Sequence, residues 1–155
     1  MDELLLDTTN ILPVFGLAVE LNNFGTLFTG PLSSYSTFYN PASLMEAKWI
    51  VLGLTRRDPA KRGLLLEAYR TGLKALLTDE RLMQTALTSD KVEKIVDEPV
   101  LKESVKGYFD RLIYGTAAER NCILLTVDAE LLGLTKTRSG PKPKKTLTWN
   151  EIAKR

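Results

Sequence analysis

Four acidic side chains carry most of the chemistry this sequence offers: Asp7, Glu46, Asp110 and Asp128. Set out at about 100° per residue, positions 108 to 118 are apolar or small on nearly every side, and only Asp110 and Arg111 break the pattern. A helix that is apolar all round is a buried one. An ionised carboxylate inside it needs a partner, because an unpaired buried charge is very costly. Two readings of Asp110 follow. Either it pairs with Lys106, four residues back on the same face, or it lines a site and holds a cation. Glu46 poses the same question: its helix is apolar on most sides, and the only other charge, Lys48, stands at i,i+2 and does not face it. Asp7 and Asp128 each close a short apolar run, Leu4-Leu5-Leu6 and Leu124-Leu125-Thr126-Val127. Taken alone, Asp7 reads as a helix cap or turn residue.

The rest of the inventory narrows the chemistry. There is no histidine and one cysteine, Cys122. A Ser-His-Asp triad, a Cys-His pair and the usual zinc sites are therefore excluded, and so is an internal disulfide. A carboxylate cluster with a hard divalent ion suits what remains. The 155 residues imply one domain with a real core. Net charge is +2, too small to argue for any partner. No apolar run reaches about 18 residues, so no membrane span is expected. The start, Met1-Asp2-Glu3, is acidic where a secretory signal would be basic, which points to the cytoplasm.

Leu4-Leu5-Leu6 reads as a buried strand. A helix is expected from Ile11, capped by Thr8, Thr9 or Asn10, with Pro13 in its first turn. Residues 22 to 34 read as a loop, and Tyr35 to Tyr39 as a strand. Asn40-Pro41 starts a helix that bears Glu46 and stops at Gly53. Asp58-Pro59 starts another, to about Leu77, and residues 79 to 106 read as one or two more, with a break near Thr88-Ser89 and a restart at Glu98-Pro99. The helix with Asp110, a tight turn at Asn121 and a buried strand follow. After Asp128 come a short helix or turn, a basic Pro- and Gly-rich loop over residues 136 to 145, and a last strand from Thr146 to Trp149. That loop either touches phosphates or is a solvated linker.

Strands alternating with helices imply an α/β fold: a central, mainly parallel sheet of about four to five strands, flanked by helices in three layers, α/β/α. Ligands in such sheets bind beyond the carboxyl ends of the strands. Asp7 and Asp128 fall there, and Glu46 and Asp110 lie on flanking helices. Four carboxylates in one cleft would raise one another's pKa, and a bound Mg²⁺ or Mn²⁺ would relieve the repulsion.

At this point the motifs resemble a known family. Leu6-Asp7-Thr8-Thr9-Asn10-Ile11-Leu12-Pro13-Val14-Phe15-Gly16 is similar to the opening motif of PIN domains, especially archaeal ones. Leu44-Met45-Glu46-Ala47 resembles the second motif. Phe109-Asp110 with Ile113-Tyr114-Gly115-Thr116-Ala117 resembles the third, and Leu124-Leu125-Thr126-Val127-Asp128 the fourth. They stand in family order and span residues 4 to 132. The resemblance implies a single PIN-like nuclease domain over residues 1 to 155, hydrolysing RNA with Mg²⁺ or Mn²⁺. It implies Asp7, Glu46, Asp110 and Asp128 as catalytic, metal-binding acids, with Thr126 and Thr8 or Thr9 as supporting hydroxyls. It also implies the toxin role of VapBC-type toxin–antitoxin pairs, with an antitoxin partner and a homodimer. Lys48, Arg111 and the loop residues Lys142, Lys144 and Lys145 are candidates to hold RNA phosphates. The long stretch between the second and third motifs, and the basic loop, leave an RNA-maturation role open. A non-catalytic RNA- or protein-binding domain on the same fold is the other alternative. A phosphoacceptor domain fits less well, since Asp7 is followed by Thr8-Thr9 rather than by a second acid.

Overall fold

The computed structural model describes residues 1–102 and 107–154. Its strands are β1 (Glu3–Leu6), β2 (Ser36–Tyr39), β3 (Leu82–Gln84), β4 (Ile123–Leu125) and β5 (Lys145–Leu147). Its α-helices are α1 (Phe24–Thr29), α2 (Pro41–Arg57), α3 (Arg62–Thr78), α4 (Asp90–Lys102), α5 (Tyr108–Glu119), α6 (Ala129–Thr137) and α7 (Trp149–Ala153). All pairings are parallel, in the order β3-β2-β1-β4-β5. The sheet is thus the five-stranded, three-layer form of the expected α/β fold, parallel throughout.

Side chains on a strand alternate between faces, and β1 shows what this does. Leu4 and Leu6 join the cluster that holds Ala47 and Val51 of α2 and Tyr69 and Leu76 of α3. Leu5 joins Ile113, Tyr114 and Ala117 of α5 and Leu131 and Leu134 of α6 on the opposite face. All three leucines are fully buried, and each such side chain contributes roughly 1.5–3 kcal/mol. A third cluster, Ala42, Val92, Val96 and Leu112, ties the start of α2 to α4 and α5.

Strong local signals produced the elements expected of them. Asn40 caps α2, its Oδ1 accepting from the Ala42 N–H at 2.8 Å, with Pro41 at the first helical position. Asn121 takes a left-handed φ of 50° between α5 and β4, a conformation that asparagine tolerates well.

Other expectations are corrected. From Ile11 there is no α-helix. Two 3-10 turns, Thr8–Asn10 and Leu12–Phe15, occupy the segment, and Gly16 at φ 75° ends it after one turn beyond Pro13. Within residues 22 to 34 lies α1, held by Phe24 stacked on Trp149 at 5.4 Å, a contact with the far end of the chain. Gly53 does not stop α2, which runs on to Arg57. A 3-10 turn at Pro59–Lys61 precedes α3. β3 lies in the stretch expected to be helical, drawn in as an edge strand by β2. The α4 backbone runs through position 99 without a restart. The last strand ends at Leu147, and Trp149 begins α7 under a Thr148–Glu151 capping box.

No helix among the described residues is long and apolar enough to cross a membrane.

Candidate functional site

The strand order reverses at β1, with β2 and β3 on one side and β4 and β5 on the other. Beyond the carboxyl ends of β1 and β4 lies the crevice where such sheets take ligands. Asp7 leaves β1 directly into it, and Asp128 follows β4 to cap α6. Glu46 reaches it from the second turn of α2 and Asp110 from the first turn of α5.

Hydrogen bonds fix two of these acids. The Asp7 carboxylate accepts from the Thr8 N–H at 2.7 Å and from the Thr126 hydroxyl at 2.6 Å. The same Thr126 oxygen accepts from the Asp128 N–H at 3.0 Å, so one fully buried hydroxyl ties the two strand ends together. Asp128 Oδ1 accepts from the Glu130 and Leu131 N–H groups at 2.7 and 3.2 Å. Both acids are therefore caps, as the simpler reading of Asp7 has it; both Asp7 oxygens are engaged, while Asp128 Oδ2 accepts no hydrogen bond among the described residues. Glu46 Oε2 is buried with no hydrogen-bond partner. Among the described residues none of the four acids is in an ion pair. Lys106, the cation weighed as Asp110's partner, lies outside the described residues.

The charges that act on these acids are one another and, at Asp110, Glu130. Burial pushes the Asp7 pKa up to about 6 against the pull of its Thr126 and Thr8 hydrogen bonds, and Glu46 and Asp128 add to the rise. Burial also lifts Asp110 to about 6, helped by Asp7, Asp128 and Glu130. Glu46 is raised by burial, opposed by the Thr8 side chain and reinforced by Asp110 and Asp128. Burial drives each rise, and the crowding of like charges in the crevice adds to it.

Hard carboxylate oxygens with unspent lone pairs suit a divalent cation such as Mg²⁺ or Mn²⁺. The orphaned Glu46 oxygen, in a crevice of other acids, fits that chemistry. The geometry is looser: among the described residues no group of three or more acidic, His or Cys side chains is set to hold one ion. The four acids share one crevice without closing on a common point.

The hydroxyls divide. Thr8 donates to Ser43 at 3.1 Å, one turn before Glu46 on α2. Thr9 makes no side-chain hydrogen bond among the described residues. Ser43, fully buried, is a residue that sequence reasoning passed over. Its only signal was the i,i+3 spacing to Glu46.

The basic candidates are not gathered here. The Lys48 ammonium sits 4.6 Å from the centre of the Tyr69 ring, on the α3 side of α2. Lys144 pairs with Asp2 at 2.7 Å, just ahead of β1, and Lys145 opens β5. Together with Lys142 they belong to a loop that enters the amino edge of the sheet, a strand length from the acids. Arg111 alone is close by, its guanidinium 5.6 Å from the Tyr108 ring centre and its Nε donating to the Gly107 carbonyl at 3.3 Å.

Two solved structures share this architecture. A VapBC2 complex from Rickettsia felis bound to a DNA fragment from its promoter aligns with a TM-score of 0.62 and 16% identity, over 94% of this chain and 98% of that one. A DNA-bound VapBC complex from Salmonella typhimurium aligns with a TM-score of 0.60 and 18% identity, over 96% and 99%. The fold is PIN-like. No family model and no curated relative matches the chain. The likeness therefore establishes the PIN-like fold, and the roles of the acids rest on their geometry.

Proposed function

We propose that residues 1 to 155 form a single PIN-like nuclease domain, a divalent-metal-dependent endoribonuclease that works through Asp7, Glu46, Asp110 and Asp128. The observation that carries this reading is the convergence of acids from four different elements on the switch-point crevice, with oxygens unspent and, among the described residues, no cation paired to them. Asp7, Asp110 and Asp128 would hold the ion, and Glu46 would complete the set or take a proton. When bound, a divalent ion supplies Lewis-acid polarisation of the phosphodiester and activation of water at neutral pH. Thr126 keeps Asp7 and Asp128 in register, and Thr8 with Ser43 braces the turn beneath Glu46. The ion proposed is Mg²⁺ or Mn²⁺.

The two neighbours are VapBC assemblies bound to DNA. That supports a toxin role in a toxin–antitoxin pair, with an antitoxin as protein partner; a homodimer as the working unit and a cytoplasmic place belong to the proposal without support from these neighbours.

Cleavage of a mixed RNA panel tests the reading, with Mg²⁺ or Mn²⁺ and with chelator, for the native chain, Asp7→Asn and Asp128→Asn. Cutting that needs metal and disappears in both folded variants is expected. Cutting that survives in both variants removes these acids from the reaction.

The second reading is a non-catalytic RNA- or protein-binding domain. It draws on the observation that no three of the acids meet at one point. It predicts equal RNA binding with and without metal, and no cleavage.

A further inference from the structure

We propose that Trp49 is a stacking platform for an unpaired nucleobase of the strand that enters the carboxylate crevice. The proposal rests on the nuclease reading above and deepens it. Trp49 stands three residues after Glu46 on α2, about 60° around the helix and about 4.5 Å further along it. Its side chain is 68% exposed. Among the described residues its indole has no hydrogen bond and no ring contact. An uncovered tryptophan is unusual, because its large apolar face gains so much from burial.

The surroundings say what would cover it. Met45 is exposed one turn before Trp49, Val127 is exposed beside Asp128, and Tyr108 is exposed two residues before Asp110. Exposed apolar side chains thus border three of the four acids. The acids repel phosphates, while Lys48 is held on Tyr69 and Lys144 lies at the far edge of the sheet. Of the basic candidates only Arg111 stands near the acids, so a strand gripped here is held mainly by its bases. Bases in single strands stack on aromatic side chains whatever their sequence. Bases in a duplex have both faces already covered, so the platform selects unpaired nucleotides. The Tyr108 ring, with the Arg111 guanidinium over it, offers a second plane of the kind on which RNA bases stack.

The protein carries its own reporter. It has two tryptophans, and the other, Trp149, is 2% exposed, with its indole N–H donating to the Asn22 carbonyl at 2.8 Å. Quenching of the exposed indole therefore reads Trp49. A single-stranded RNA 12-mer and its duplex form are titrated in chelator, where metal-dependent cutting cannot occur. The single strand should quench and the duplex should not. Trp49→Ala should remove the quenching and weaken binding about 5- to 100-fold. Trp49→Phe should keep most of the affinity. The salt dependence of binding should be the same in Trp49→Ala as in the native chain, because no phosphate contact is lost. Absence of quenching, or equal binding by Trp49→Ala, overturns the proposal and leaves this face to a protein partner. Quenching by RNA from a protein that cuts nothing with Mn²⁺ upholds the platform and sinks the nuclease reading. Native and Trp49→Ala proteins that cut equally well do the reverse.

Discussion

Replacing Asp7 with Asn should make the metal-free protein more stable at pH 7.5. The carboxyl is 3% exposed, and its pKa rises from 3.8 to about 6 in the fold. For an acid whose folded pKa lies above its unfolded value, the stabilising contribution is full below the unfolded pKa. It is lost as pH climbs through the folded pKa. A rise from 3.8 to about 6 corresponds to about 3 kcal/mol lost by pH 7.5. The amide carries no charge and avoids that loss. It still accepts from the Thr8 N–H, but it meets the Thr126 hydroxyl with an N–H where the carboxylate had an acceptor, a mismatch costing about 1 kcal/mol. A net gain of about 1–2 kcal/mol remains, or about 2–8 °C in Tm for a chain of this size. The assay is urea denaturation in chelator at pH 4 and pH 7.5, followed by circular dichroism. The gain should be present at pH 7.5 and vanish near pH 4. Added Mn²⁺ should then stabilise the native chain more than the variant. A loss of stability at pH 7.5 would refute the reasoning. It would make Asp7 a cap whose charge the fold needs.

Thr126→Val removes the hydroxyl that joins Asp7 to the Asp128 backbone, and should cost about 1–3 kcal/mol in urea denaturation; no loss would mean that the two strand ends are held by other contacts. Gly72→Ala places a methyl group against the backbone carbonyl of Val14, under α3. Neither partner is a flexible side chain, so a loss of about 1–3 kcal/mol is expected in the same assay. Neutralising Lys142, Lys144 and Lys145 together should leave the salt dependence of RNA binding unchanged. If the loop made three phosphate contacts, the log–log slope would fall by about 2 instead.

Much of the site was legible because its signals are local. A run of leucines ending in Asp7, an Asn40-Pro41 helix start, and Asn121 between a buried helix and a buried strand each depend on a few adjacent residues. What stayed hidden depends on distant ones. β3 has three residues and forms because β2 offers it an open edge. α1 forms where Trp149 meets Phe24. The Thr148-x-x-Glu151 capping box was visible in the sequence, but the apolar Thr146–Trp149 run masked it as a strand. The fate of the basic loop also followed from the topology. In a parallel sheet the segment leading into a strand enters at the amino edge, whereas the acids sit at the carboxyl edge. How near the four carboxylates come to a single point depends on side-chain rotation, which spacing along the chain does not encode.

Cation binding is the sharpest test of the four-carboxylate site. Mn²⁺ is titrated into the protein at pH 7.5, and the free ion is read by electron paramagnetic resonance, for the native chain, Asp128→Asn and Asp110→Asn. The native chain should bind, with affinity at least about tenfold weaker in each variant, the loss of roughly 1.4 kcal/mol or more that removing one charged ligand brings. A native chain that leaves all the Mn²⁺ free, or variants that bind as tightly as it does, would contradict the account.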